Sequence, residues 1–80
     1  MKEEIFKKVA ETIAANNHIS TDEIRIDSTF EELNMDSLDG ITLINDLENN
    51  YHITLSNEEA MSIKTVRDAV DTIDLKLAQQ

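Results

Sequence analysis

Apolar residues fall in three helical stripes along this chain. Ile5, Phe6, Val9, Ala10, Ile13 and Ala14 recur at three- and four-residue spacing, with lysines and glutamates opposite, and predict a helix over about residues 2–15. Asn16-Asn17-His18 ends it, because asparagine is a poor helix former and a good turn former. Leu38, Ile41, Ile44, Leu47 and Tyr51 repeat the spacing of a buried helical face and predict a second helix over about residues 37–50. Leu43 joins that apolar arc, with Asp39, Thr42, Asn45, Asp46 and Asn49 opposite. Val66, Ala69, Val70, Ile73 and Leu77 predict a last helix from near Thr65, with residues 78–80 fraying.

The stretches between these stripes carry their own signals. Ser56-Asn57-Glu58-Glu59 has the spacing of a capping box, in which hydroxyl and carboxylate each satisfy the other residue's backbone N–H, and predicts a short helix to about Met61. The connection between the first two helices is long for so small a chain. Ile19, Ile24, Ile26, Phe30, Leu33 and Met35 are spaced through it, so it packs on the core instead of hanging free. Ser20-Thr21-Asp22-Glu23 and Ser28-Thr29-Phe30-Glu31 share the capping-box spacing and predict one or two short helical turns. Tyr51-His52-Ile53-Thr54-Leu55 alternates like a strand, but without a partner strand it reads as extended loop. The fold class is therefore all-α: a small bundle of three longer helices plus one short helix, with a long structured connection between the first and second.

Eighty residues give one domain over 1–80 with a small core, since a chain of this size buries only roughly 60% of its unfolded surface. Met1-Lys2-Glu3-Glu4 is charged and leads straight into a helix, unlike a signal peptide, and no apolar run approaches a membrane span. A discrete cytoplasmic protein, and a monomer, is expected. The chain has no cysteine, which excludes disulfides and thiolate-bound zinc. Its one glycine, Gly40, falls inside the second helix on the apolar side, where it either admits a close helix contact or leaves space.

Charge narrows the function. Seventeen acids against seven bases leave a net charge of −10, which argues against nucleic acid and anionic membrane and favours partners with basic surfaces. No lysine or arginine lies between Arg25 and Lys64, where Asp27, Glu31, Glu32, Asp36, Asp39, Asp46, Glu48, Glu58 and Glu59 all fall. An EF-hand loop turning on Gly40 would put Met35 at its first ligand position, and methionine does not bind calcium, so only diffuse divalent binding is expected. His18 and His52 sit in polar turns with no nucleophile elbow anywhere, so both read as surface residues and no catalytic residue is assigned.

One serine stands out. Asp36 precedes the second stripe as a good N-cap, and Asp39 puts a second carboxylate in the first turn, where the helix dipole favours it. Ser37 is then the first helical residue, lifted to the helix tip with its hydroxyl facing solvent. Alone, Asp36-Ser37-Leu38-Asp39 reads equally well as a helix cap and as a presented serine.

The wider context resembles the acyl carrier proteins. The residues that carry the resemblance are Phe30-Glu31-Glu32-Leu33, Asp36-Ser37-Leu38-Asp39, the helix ending Leu47-Glu48, Leu55-Ser56-Asn57-Glu58-Glu59-Ala60 and Thr65-Val66. The resemblance implies that Ser37 is esterified with 4′-phosphopantetheine by a phosphopantetheinyl transferase, with Asp36 and Leu38 as recognition neighbours. The thiol of that arm would carry acyl groups as thioesters between enzymes of fatty acid, polyketide or related synthesis. Asp39, Asp46 and Glu48 would belong to a helix that docks acyl-processing enzymes through their basic surfaces. Such a protein is not itself an enzyme. A chain without cysteine leaves the arm's thiol unrivalled, and an aliphatic core including Met35 and Met61 could part to admit an acyl chain.

The chain also departs from the family pattern. Asn34 and Met35 stand where glycine or alanine is common, Ser56 where proline is common, and Thr42, Asn45, Asn49 and Asn50 where the docking helix is usually richer in glutamate. Gly40 is unusual there as well. These departures point to a specialised pathway over the housekeeping one. A peptidyl or aminoacyl carrier, and an unmodified acidic adaptor for a basic protein, are the alternatives.

Overall fold

The amphipathic stripes become helices that wrap one aliphatic core. The computed structural model describes residues 1–79. Helix α1 spans Lys2–Asn17, a 3-10 turn spans Thr21–Glu23, and α2, α3 and α4 span Ser37–Tyr51, Asn57–Met61 and Val66–Ala78. The fold is all-α, three longer helices and one short, with the structured connection where it was expected. The fraying expected of Gln80 lies outside the described residues.

Helix α1 is the hub: it packs most extensively on α4, then on α2, and touches the 3-10 turn. Its Ile5, Val9, Ala10 and Ile13 meet Val66, Ala69, Val70 and Ile73 of α4 and Leu43 and Leu47 of α2 in a core completed by Ile24, Met35, Ile53 and Ile63. No polar or charged side chain is buried among the described residues, so the core is held by apolar packing alone.

Helix ends account for most of the local detail. α1 runs two residues past its expected end and stops where His18 turns left-handed, φ 57°, with its N–H donating to Ala14 O. α2 ends one residue late in the same way, at His52 with φ 55°. In both, the asparagines stay helical and the histidine supplies the terminating αL residue, a role more often taken by glycine or asparagine.

The connection is fixed to the start of α4. Val66 N–H donates to Ser28 O, Arg67 N–H to Ile26 O and Phe30 N–H to Lys64 O, and Thr29 and Thr65 form an isolated antiparallel bridge. Carbonyls of the connection thus satisfy first-turn amides of α4 that would otherwise lack partners. Arg67 adds an ion pair to Asp27 at 2.8 Å, which raises the arginine's already high pKa.

The second capping pair of the connection is shifted by one residue from expectation. Thr29 and Glu32 form it, with Glu32 N–H donating to Thr29 Oγ1 at 3.0 Å and Thr29 N–H to Glu32 Oε1 at 3.2 Å. Ser28 is not available for this role, because its Oγ accepts from Arg25 N–H at 3.0 Å.

Helix α3 is held differently from the others, since none of its residues is buried. Its capping box is present, and the carboxylate of Glu59 also meets Lys76 Nζ of α4 at 2.9 Å. The Ser56 N–H, and after it Lys76, hold the Glu59 carboxyl below the usual carboxylate range. Met61, expected in the core, is 76% exposed at the end of α3, because a helix of five residues is too short to bury a face. Met35 is buried as expected.

Candidate functional site

Ser37 is placed from both sides of the chain. Upstream, Leu33 N–H donates to Thr29 O, Asn34 N–H to Glu31 O and Met35 N–H to Phe30 O, a set of tight turns that needs one left-handed residue. Asn34 supplies it at φ 59°, and asparagine is among the few residues other than glycine to adopt αL readily. Met35 then anchors the chain in the core two residues before the serine.

Downstream, α2 starts with a reciprocal capping box built from two aspartates. Asp39 N–H donates to Asp36 Oδ1 at 2.9 Å, and Asp36 N–H donates to Asp39 Oδ2 at 3.2 Å. The box fixes the backbone on both sides of Ser37 without using the serine hydroxyl. Ser37 is exposed as the first residue of α2, and its side chain makes no hydrogen bond among the described residues. Both positive-dipole stabilisation and two nearby carboxylates act on this helix tip.

Leu38 follows at 72% exposure, and Ile41, expected in the buried arc, is 57% exposed. Only Leu43 and Leu47 of α2 are fully inside, with Ile44 and Tyr51 half-buried. Burial, and secondarily the charge of Glu4, pushes the Tyr51 phenol up from its ordinary pKa.

The three carboxylates expected to dock partners do not lie together. Asp39 and Asp46 are on one side of α2, where Asp46 Oδ2 accepts from Asn16 Nδ2 of α1 at 2.8 Å. Glu48 is on the other side, and its Oε2 accepts from Leu55 N–H at 2.9 Å. All three are half-buried and engaged within the protein. Glu48 lies nine residues after Asp39, two and a half helical turns, so the spacing itself carried that signal.

Gly40 directly follows the capping box, and no atom outside its own stretch of helix lies within 4 Å of where a Cβ would stand. It therefore leaves open space and makes no close helix contact. Gly40→Ala is expected to stabilise the protein by about 1 kcal/mol, raising Tm by about 4–8 °C in a thermal melt followed by circular dichroism.

His18 and His52 are exposed and far apart in sequence, and no group of three or more His, Cys, Asp or Glu residues that could hold a metal gathers among the described residues. The geometry offers one distinctive chemical feature, a free hydroxyl on a rigid helix tip. An ester group on it would project away from the body, so these residues fit a long covalently attached arm.

The family model for the phosphopantetheine attachment site matches residues 7–73. The chain belongs to the acyl carrier protein family. It is 36% identical over 77 residues to an acyl carrier protein of Petrotoga mobilis, covering 95% of this chain and 91% of that one. It is 39% identical over 72 residues to one from Treponema denticola, covering 89% and 92%. The crystal structure of an acyl carrier protein from Thermotoga maritima superposes with a TM-score of 0.87 at 26% identity, over 98% of this chain and 92% of that one. The protein functions as an acyl carrier with phosphopantetheine as its cofactor, and it acts with acyl-processing enzymes. No helix of the carrier, among the described residues, is long and apolar enough to cross a membrane.

Proposed function

We propose that Ser37 bears the 4′-phosphopantetheine arm, with Asp36 and Leu38 as its recognition neighbours, and that residues 1–80 form one monomeric cytoplasmic carrier domain with no catalytic residue of its own. The observation that carries this is the hydroxyl of Ser37, exposed on the first residue of α2 and left unengaged by the Asp36–Asp39 capping box. When bound, the arm supplies a thiol that holds acyl groups as thioesters. The chain's own residues fix the attachment point: Met35 anchors it, Asn34 turns the backbone and the box stiffens the helix tip. Asp39, Asp46 and Glu48 contribute to an acidic field that draws basic partners toward this end of the molecule. The departures at Asn34, Gly40, Asn45 and Asn49 support service in a specialised pathway.

Intact-mass measurement after incubation with coenzyme A, magnesium and a broad-specificity phosphopantetheinyl transferase tests the site. The wild type is expected to gain one phosphopantetheine unit. Ser37→Ala is expected to gain none, although Ser20, Ser28, Ser56 and Ser62 remain. Modification at one of those four removes the assignment, and no modification at all favours the acidic adaptor.

A further inference from the structure

Gly40 is the one glycine of the chain, and the residue before it is Asp39. Nowhere else does an aspartate or asparagine precede a glycine. Such a pair favours reaction between side chain and backbone, because glycine brings no Cβ to obstruct ring closure and restricts its own dihedral angles least. In the folded protein both reacting groups are engaged. Asp36 N–H donates to Asp39 Oδ2 at 3.2 Å, which turns the carboxylate back along the chain, and Gly40 N–H donates to Asp36 O at 3.0 Å. Asp39 and Gly40 are only half-buried, so water reaches them.

We propose that Asp39 is a site of isoaspartate formation, held in check by the Asp36–Asp39 capping box, and that the conversion withdraws Ser37 from its transferase. The last part rests on Ser37 being the attachment site. The Gly40 backbone nitrogen attacks Asp39 Cγ, the amide proton and the carboxyl hydroxyl leave as water, and a five-membered succinimide closes. Water then adds to the ring. Breaking the bond from nitrogen to Cγ restores the aspartate. Breaking the bond from nitrogen to the α-carbonyl carbon leaves Gly40 joined through the side-chain carbon, with the former backbone carbonyl as a free carboxylate. One water leaves and one returns, so the mass is unchanged and no other reactant takes part.

The fold places this reaction under the control of local opening. Leu43 is the first buried residue of α2, and Leu38 and Ile41 before it are 72% and 57% exposed. The first turn is therefore held by the box, and by Met35 upstream. Opening it frees both reacting groups at once, because Asp36 is the partner of each, and openings at helix ends cost far less than global unfolding. The product lengthens the main chain by one carbon inside that turn. This displaces the carboxylate from Asp36 N–H and Gly40 N–H from Asp36 O, so Ser37 loses its fixed tip.

The test holds the unmodified protein at physiological temperature and neutral pH as wild type, Gly40→Ala and Asp36→Ala, with wild type in urea alongside. Electron-transfer fragmentation of its peptides distinguishes the β-linked residue at equal mass, whereas asparagine deamidation changes the mass. Isoaspartate is expected at Asp39 before any other aspartate, and fastest in urea. Gly40→Ala should form it roughly fivefold more slowly or less, since alanine both stiffens the helix and obstructs the ring. Asp36→Ala should form it roughly fivefold faster than wild type, the increase in opened population on losing a cap, while staying helical by circular dichroism. The β-linked fraction, isolated by ion exchange, should take up phosphopantetheine severalfold more slowly than fresh protein. No isoaspartate at Asp39 in urea removes the site. A rate no higher in urea, or in a helical Asp36→Ala, than in folded wild type removes the guard, and the urea comparison decides this if that variant fails to fold. A β-linked fraction modified at the fresh rate removes the effect on Ser37. Any of these overturns the proposal. Fresh wild type that gains no phosphopantetheine removes the Ser37 reading instead, and the fragmentation data still decide the isomerisation.

Discussion

Leu47→Ala is expected to cost about 2–5 kcal/mol, the range for a buried leucine cut to alanine. Leu47 is 1% exposed and is one of two fully buried side chains that hold α2 to the core, the other being Leu43. A chain of 80 residues has a total stability of about 4–12 kcal/mol at the usual value per residue. The single change therefore removes a large fraction of it, and α2, which carries Ser37, is the element left without its anchor. Urea unfolding followed at 222 nm is expected to show a midpoint lowered by roughly a sixth at the least. Ile41→Ala removes the same number of carbon atoms from the same helix, but from an exposed position, and should shift stability by no more than about 0.5 kcal/mol. Equal losses at the two sites would mean that α2 does not sit on α1 and the core through its leucine edge.

Salt is expected to stabilise this protein strongly. The net charge of −10 is confined to a body measuring 32 × 25 × 20 Å. At 0.01 M ionic strength the screening length is about 30 Å, so every charge senses every other, whereas at 0.15 M it is about 8 Å and only neighbours interact. The ion pairs Lys2–Asp71, Arg67–Asp27 and Lys76–Glu59 weaken over the same range, but the first two are exposed and contribute little, and only Lys76–Glu59 is half-buried, against a ten-charge excess. Scanning calorimetry across that range should show Tm rising by roughly 5 °C or more, equivalent to about 1 kcal/mol in a domain of this size. Magnesium should raise it further at equal ionic strength, by gathering between carboxylates. A flat Tm would show that the acidic surface is unstrained, and a falling one that the ion pairs outweigh it.

What the sequence disclosed was local. The capping boxes at Asp36–Asp39 and Ser56–Glu59, and the start of α4 at Thr65, involve residues three apart, so their partners stand in the same short stretch of text. The position of Ser37 on the first turn of α2 followed from the same signal. What remained hidden depended on distant partners or on competition. Ser28 and Thr29 both stand three residues before a glutamate, and Arg25 N–H decided between them by taking the Ser28 hydroxyl. The bridge of Thr29 to Thr65, and the use of connection carbonyls to finish α4, join segments nearly forty residues apart and leave no periodic trace. The exposure of Leu38 and Ile41 ran against the hydrophobic pattern, because one layer of neighbours covers a narrower arc of α2 than its apolar residues occupy.

The central packing of α1 on α4 has a consequence for the order in which the protein can be made. These two helices form the most extensive contact, yet the last core residue of α1, Ile13, and the first of α4, Val66, are separated by nearly all the intervening chain. Synthesis proceeds from the amino end, so Ile5, Val9 and Ile13 leave the ribosome long before Val66, Val70 and Ile73 exist to cover them. Until α4 has emerged, the apolar face of α1 has only the connection, α2 and the segment after it to lie against, and the amide-capping carbonyls of Ile26 and Ser28 have nothing to cap. The carrier thus closes late, because the core face of α1 is not fully covered until α4 has been made.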